Sequence, residues 1–163
     1  QMLLRLFLPL TAAVLVVYLC IVPFFFWRPF ENREVLIIYN AMLFAVMALL
    51  LGVTPYTLAG IGPSQQRWLR RGIVLVAAFA GIVSIYALAA ISYRTLQEGL
   101  TPNRVTFIGW NLINTGLLAY LLIRQIGKDS RTWLGAVHRT FGIGALLYAA
   151  WSTLVVFGLP WLF

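Results

Sequence analysis

Five long apolar runs, none of which contains a charged residue or a histidine, constrain the fold of this chain most strongly. They cover residues 6–27, 35–53, 72–93, 105–123 and 141–163. A helix needs roughly 20 apolar residues to cross the hydrocarbon core of a bilayer, and each run has about that length. The chain is 62% hydrophobic and 10% charged, a balance that a soluble domain of 163 residues cannot bury. The pattern predicts an all-α polytopic membrane protein, a single domain built as a bundle of five transmembrane helices.

The basic residues predict how this bundle is oriented. The net charge is +8, and the basic residues lie in short loops between the runs, which argues against nucleic acid as a partner. One side is predicted to carry eight of them: Arg5, Arg67, Arg70, Arg71, Arg124, Lys128, Arg131 and Arg139. The other side is predicted to carry four, with three of the four acids: Arg28, Arg33, Arg94, Arg104, Glu31, Glu34 and Glu98. Because basic loops stay in the cytoplasm, we expect the N-terminus there and the C-terminus outside.

Four tryptophans lie near the ends of the runs: Trp27, Trp68, Trp133 and Trp161. Indole rings prefer the boundary between hydrocarbon and water. We therefore predict that these four rings form belts at the two membrane surfaces, with membrane lipids as their partners.

The third run carries small residues at helical spacing: Ala77, Ala80, Gly81, Ser84 and Ala87. At about 100° per residue they fall within an arc of roughly 120°. Small residues let a second helix approach closely, so Ala77, Gly81, Ser84 and Ala87 are predicted to form a helix-packing face. A sparser series of the same kind occurs in the fifth run: Ala145, Ala149 and Thr153.

The fourth run is the most polar. Asn111, Asn114 and Thr115 are spaced so that they share one face of a helix. An unpaired amide is costly in hydrocarbon, so this face must meet protein or water. One interpretation is an interhelical hydrogen bond, with Asn40 of the second run as a partner. The alternative is a polar pocket for a substrate, a lipid or a pigment.

The chain offers little for catalysis or metal binding. His138 is the only histidine and Cys20 the only cysteine, so no zinc or haem site is predicted. His138 is interpreted as an interfacial polar residue, or alternatively as the axial ligand of a chlorophyll-type pigment, which needs only one imidazole. No catalytic residue is predicted and the chain is not expected to be an enzyme. The sequence requires no cofactor, although it allows a lipid or such a pigment.

The segment between the third and fourth runs carries clear turn signals. Gly99 suits the end of a helix, Thr101 is a good N-cap, and Pro102 fits the first helical position. Arg94 and Glu98 are four residues apart and can pair if the third helix extends that far. These features predict a tight helical hairpin on the outer side of the membrane.

The same segment resembles the signature of a family of multi-pass bacterial inner-membrane proteins that share a domain of unknown function. In that family an Arg precedes Glu-Tyr-Gly-Leu-Thr, and a second Arg follows. The matching residues here are Arg94, Gly99, Leu100, Thr101 and Arg104. Gln97 and Glu98 depart from the pattern, because the family has Glu followed by Tyr there. The resemblance covers spans two to four and implies a bacterial inner (plasma) or intracytoplasmic membrane and a longer parent protein, with this chain near its C-terminal end. It implies no activity.

We therefore expect a non-catalytic membrane subunit or scaffold that packs against other membrane subunits through spans three to five. One alternative is transport of a small or lipidic substrate along the face of Asn111, Asn114 and Thr115. Another is a pigment-binding auxiliary subunit of a photosynthetic or respiratory complex.

Overall fold

A computed structural model of the chain describes residues 2–125 and 132–163. Lys128 and Arg131, which the charge analysis assigns to the cytoplasmic side, lie outside the described residues, as do the side chains of Arg5 and Arg33. Within the described ranges the chain forms seven α-helices: α1 (Met2–Ile21), α2 (Arg28–Glu31), α3 (Arg33–Val53), α4 (Pro63–Glu98), α5 (Pro102–Gln125), α6 (Trp133–Thr153) and α7 (Leu159–Leu162). Five helical segments are long and apolar enough to cross a membrane: Leu8–Phe25, Glu34–Val53, Pro63–Glu98, Pro102–Gln125 and Trp133–Leu162. The all-helical fold with five candidate spans is therefore confirmed.

Local signals explain where these helices begin and end. α1 stops at Ile21, and Pro23 lies in the 3-10 turn that follows, because proline lacks the N–H that would continue the ladder. The Asn32 side chain caps α3 by accepting a hydrogen bond of 2.9 Å from the Glu34 N–H. Pro63 occupies the first turn of α4, where a missing N–H costs nothing.

Two helices, α4 and α6, begin eight or nine residues before the apolar runs that predicted them. α4 has 36 residues, which at 1.5 Å per residue span roughly 54 Å. That length exceeds a hydrocarbon core of about 30 Å, so the polar ends of α4 extend beyond the predicted span 72–93. α6 likewise begins at Trp133, before the predicted start at residue 141, as a helix that runs into the fifth span. An apolar run indicates which part of a helix can lie in the hydrocarbon core, but it does not indicate where the helix begins or ends.

The predicted hairpin joins α4 to α5. Gly99 ends α4 with a φ of +82°, a region that favours glycine. The Thr101 hydroxyl lies 3.4 Å from the Arg104 backbone N–H, and Pro102 begins α5. The predicted pair of Arg94 and Glu98 is present, with 3.6 Å between Nη2 and Oε2. Arg104 also pairs with Glu98, which the sequence did not indicate.

The long helix α4 is the centre of the bundle. It packs against α1, α3 and α5, while α6 packs chiefly against α5. Within the most apolar 18 residues of α4, 44% are buried in the protein, compared with 11% within the corresponding 18 residues of the α1 and α6 spans. One π-helical turn, Leu154–Gly158, joins α6 to α7 just before Pro160. The order α4, α5, α6 from centre to edge determines which helices can share a site.

One of the four predicted interfacial tryptophans lies in the core. Trp27, Trp68 and Trp161 are exposed, but Trp133 is only 1% exposed, so its assignment to a belt is wrong. Its carbonyl accepts a hydrogen bond of 3.2 Å from the Gln125 side chain. Arg70 of α4 donates to the Gln125 backbone carbonyl at 2.8 Å and to its side-chain oxygen at 3.2 Å. These bonds draw the start of α6 against α4 and α5, which buries the indole.

Candidate functional site

Polar side chains from four helices meet inside the bundle. We call this set the polar network, and its members are Asn40 of α3, Ser84 of α4, Asn111, Asn114 and Thr115 of α5, and Tyr148 of α6. The three residues of α5 share a face because of their spacing, as predicted. α5 lies between α4 and α6, so its polar face reaches partners on both sides.

The two asparagines Asn40 and Asn111 form the link between α3 and α5. Asn111 Nδ2 donates to Asn40 Oδ1 and also to the backbone carbonyl of Phe107, at 2.9 Å. Asn40 Nδ2 in turn donates to the carbonyl of Leu36 at 2.7 Å. Both amides are buried, and this is the interhelical bond that the sequence predicted.

Ser84 connects the network to α4. The hydroxyls of Ser84 and Thr115 lie 2.8 Å apart, and the Ser84 hydroxyl also lies 3.5 Å from the Asn111 carbonyl. Ser84 is a member of the predicted helix-packing face, so the packing face of α4 and the polar face of α5 are two sides of one contact. The residue spacing along either helix alone does not predict that these two faces meet.

Tyr148 completes the network from α6. Its hydroxyl donates to Asn114 Oδ1, and its ring lies 5.3 Å from that of Trp110 and 6.5 Å from that of Phe44. Sequence reasoning missed this residue. A tyrosine hydroxyl within a hydrophobic span needs a hydrogen-bond partner, and the preceding helix, α5, carries a face of polar residues. This requirement was the one sequence signal that pointed to the contact.

The two asparagines that α5 contributes to the polar network are shielded from solvent. Asn111 and Asn114 are almost wholly buried, and two of their four side-chain polar atoms bond to neighbouring helices: Asn111 Nδ2 to Asn40 and Asn114 Oδ1 to Tyr148. The other two, Asn111 Oδ1 and Asn114 Nδ2, are buried without a hydrogen-bond partner. Amides and hydroxyls carry no charge, so the arrangement is suited to joining helices rather than to acid–base chemistry.

The small-residue face of α4 is occupied by the chain itself. Ala77, Ser84 and Ala87 are fully buried. A Cβ added at Gly81 would lie 4.0 Å from the Cβ of Leu118 on α5. This face therefore packs against helices of the same bundle, and it is not free to receive a partner subunit.

His138 lies at the start of α6, away from the span interior. Its ring is exposed, and Nε2 lies 3.0 Å from the carbonyl of Pro55 in the segment between α3 and α4. The ring of Tyr56 is 6.1 Å away. His138 thus ties α6 to the α3–α4 segment, and a pigment that used Nε2 would have to displace this contact. In the described parts of the chain, no three His, Cys, Asp or Glu residues lie close enough to hold a metal ion.

Comparison with protein-family models, curated proteins and solved structures found no match. The resemblance of the Arg94–Arg104 hairpin to a family of inner-membrane proteins therefore stays a prediction.

A double-mutant cycle on Asn40 and Asn111 would measure the strength of the polar network. Asn40→Leu and Asn111→Leu should each lower the free energy of unfolding by about 1–2 kcal/mol, because each leaves a buried amide without its partner. The double variant should cost less than the two single variants together, by about 0.6 kcal/mol or more. Unfolding by sodium dodecyl sulfate gives these values, with exposed Asn103→Leu as the control. Strictly additive costs would show that the two amides do not interact.

Proposed function

We propose that the chain is a polytopic protein of a bacterial inner (plasma) or intracytoplasmic membrane, with its N-terminus in the cytoplasm and its C-terminus outside. The five long apolar helices support this placement. The orientation is supported by charge: α4 begins with the exposed residues Arg67 and Arg71, while Glu98 lies at its opposite end. Basic residues near the ends of spans favour the cytoplasmic side.

In that membrane the chain acts as a non-catalytic subunit that packs against a helix of a partner protein. The observation that supports this role is a second small-residue face, on α6: Gly142, Ala145, Ala149 and Thr153 are exposed and recur every three or four residues. Lipid tails are as apolar as leucine, so helices associate in a bilayer through close approach, which small residues permit. Unlike the face on α4, this face is not covered by the chain's own helices.

Enlarging one residue of this face should remove the partner. Ala145→Phe is expected to abolish co-purification of the partner in mild detergent, because the ring prevents close helix approach. Ala45→Phe is the matched control, since Ala45 is likewise an exposed alanine but lies on α3. The proposal is supported if one protein co-purifies in fixed stoichiometry with the parent chain and with the Ala45 variant, but does not co-purify with the Ala145 variant. A lone monomer in all three preparations contradicts it.

Two other functions expected from the sequence have less support in the geometry. Transport along Asn111, Asn114 and Thr115 needs an opening, and both asparagines are buried between helices that they bond to. Pigment binding at His138 needs an imidazole nitrogen with a free lone pair; because Nε2 contacts the Pro55 carbonyl, a pigment would have to bind through Nδ1. Loss of uptake at normal expression in a variant with Asn111→Leu and Asn114→Leu would support transport. A visible absorbance band in the purified protein would support pigment binding.

A further inference from the structure

A cleft of about 380 Å³ lies at the end of the bundle where α4 and α5 are joined. Its walls come from α3, from the last turns of α4 and from the first turns of α5. The lining residues that matter here are Asn40, Arg94 and Arg104, which are polar, and Ile37, Ile91 and Phe107, which are apolar. The volume is near the lower end of the range of about 300–1,000 Å³ for small-molecule sites. The cleft can hold a headgroup and the start of a chain.

The charged groups at this cleft are not balanced. Arg94 and Arg104 line it with side chains that are only 13% and 19% exposed, and both contact Glu98. Among the described side chains, Glu98 is the only carboxylate paired with either guanidinium. Glu98 is 53% exposed and is not part of the lining. Two largely buried positive charges thus share one solvated negative charge, an arrangement that favours a further anion.

Two further features favour an anion at the same place. The Nε of Arg94 is buried and has no hydrogen-bond partner, a state that is unfavourable until an acceptor binds. The first turn of α5, at Thr101, Pro102 and Asn103, also lines the cleft. The N-terminal end of a 24-residue helix carries partial positive charge, which adds to that of the arginines.

The apolar wall distinguishes a lipid from a simple anion. Ile91 is buried and Phe107 half-buried, while Ile37 is 43% exposed on the outer surface of α3. The wall therefore extends from the arginines towards the surface that faces the hydrocarbon of a membrane. A free phosphate or carboxylate would leave this wall uncovered.

We propose that this cleft binds an anionic lipid, with its phosphate on Arg94 and Arg104 and the first part of an acyl chain along Ile37, Ile91 and Phe107. Arginine binds phosphate through two parallel N–H bonds, which suits a paired site. Glu98 competes for the same guanidinium groups and limits the affinity. The binding function does not depend on a partner at α6, because the cleft lies on other helices.

The test uses the full purified chain, delipidated in neutral detergent and titrated with phosphatidylglycerol or phosphatidylcholine, with bound lipid counted by native mass spectrometry. Phosphatidylglycerol should bind selectively. Arg104→Gln and Arg94→Gln should each weaken it about tenfold, because each removes a charged hydrogen bond. Glu98→Gln should tighten binding severalfold, because the internal competitor loses its charge. Arg28→Gln is the matched control, since Arg28 contacts Phe25 and does not line the cleft.

A second pair of variants tests the apolar wall and leaves both arginines in place. Ile37→Trp should block the acyl chain and reduce binding about tenfold. Ile38→Trp should have no effect, because Ile38 is 64% exposed and does not line the cleft. Equal binding of the two lipids would overturn the proposal, as would equal losses in the Arg28 and Arg104 variants. If inorganic phosphate displaces the lipid at equal concentration and Ile37→Trp does not reduce lipid binding, the site takes a soluble anion and the lipid assignment is wrong.

Discussion

Replacing Trp133 with alanine is expected to lower the free energy of unfolding by about 3–5 kcal/mol, one of the two largest effects we expect in this chain. The indole is 1% exposed and lies in the hydrophobic core at the start of α6. Its removal leaves a cavity, and the atoms that lined the ring lose their packing contacts. Detergent stability, followed as the fraction of sodium dodecyl sulfate at half-unfolding, measures the change.

Trp161→Ala is the matched control for this prediction. Trp161 is 91% exposed on α7, so its removal should change stability by less than about 0.5 kcal/mol. If both rings lay exposed in interfacial belts, as the sequence alone suggests, the two variants would behave alike. Equal losses would therefore contradict the buried position of Trp133.

Replacing Gly109 with alanine is expected to destabilise the protein by about 1–3 kcal/mol, although alanine is the better helix former. A Cβ at this position would overlap the indole ring of Trp151 on α6. That ring also donates from Nε1 to the Thr106 carbonyl at 3.3 Å, so moving it loses a bond between α5 and α6. The contact between the two helices must open for the methyl group to fit.

Gly116 on the same helix provides the opposite case. A Cβ added there meets no atom within 4 Å, so Gly116→Ala should stabilise α5 by up to about 1 kcal/mol. The two substitutions are chemically identical and differ only in what lies opposite the new methyl group. Unfolding curves that shift in the same direction for both variants would contradict the close approach of α5 and α6 at Gly109.

Much of the helical fold followed from local signals. The apolar runs, the proline at 23 and the glycine at 99 act within a few residues of their own position, and the structure has helix ends at both places. α4 and α6 begin before the apolar runs that predicted them, because charged residues such as Arg70 and Arg139 interrupt an apolar run without interrupting a helix. Backbone hydrogen bonds, not hydropathy, determine where a helix ends.

The candidate site was predictable only in part. Asn111, Asn114 and Thr115 share a face by spacing alone, and Asn40 was a reasonable partner because buried amides need one. Tyr148 was missed, because its position depends on the rotation of α6 about its axis. The small-residue face of α4 was recognised, but which helices it meets depends on the packing of the whole bundle.

The amino-acid sequence by itself determined that this chain forms five long apolar helices, that α4 and α5 meet in a tight hairpin, and which side chains share a helix face. These properties depend on residues a few positions apart on one helix. Only the tertiary structure decided that α4 lies at the centre, that Trp133 is buried, and that Asn40, Arg94 and Arg104 line one cleft. Contacts of this kind depend on how all the helices pack together, which spacing along any one of them does not specify.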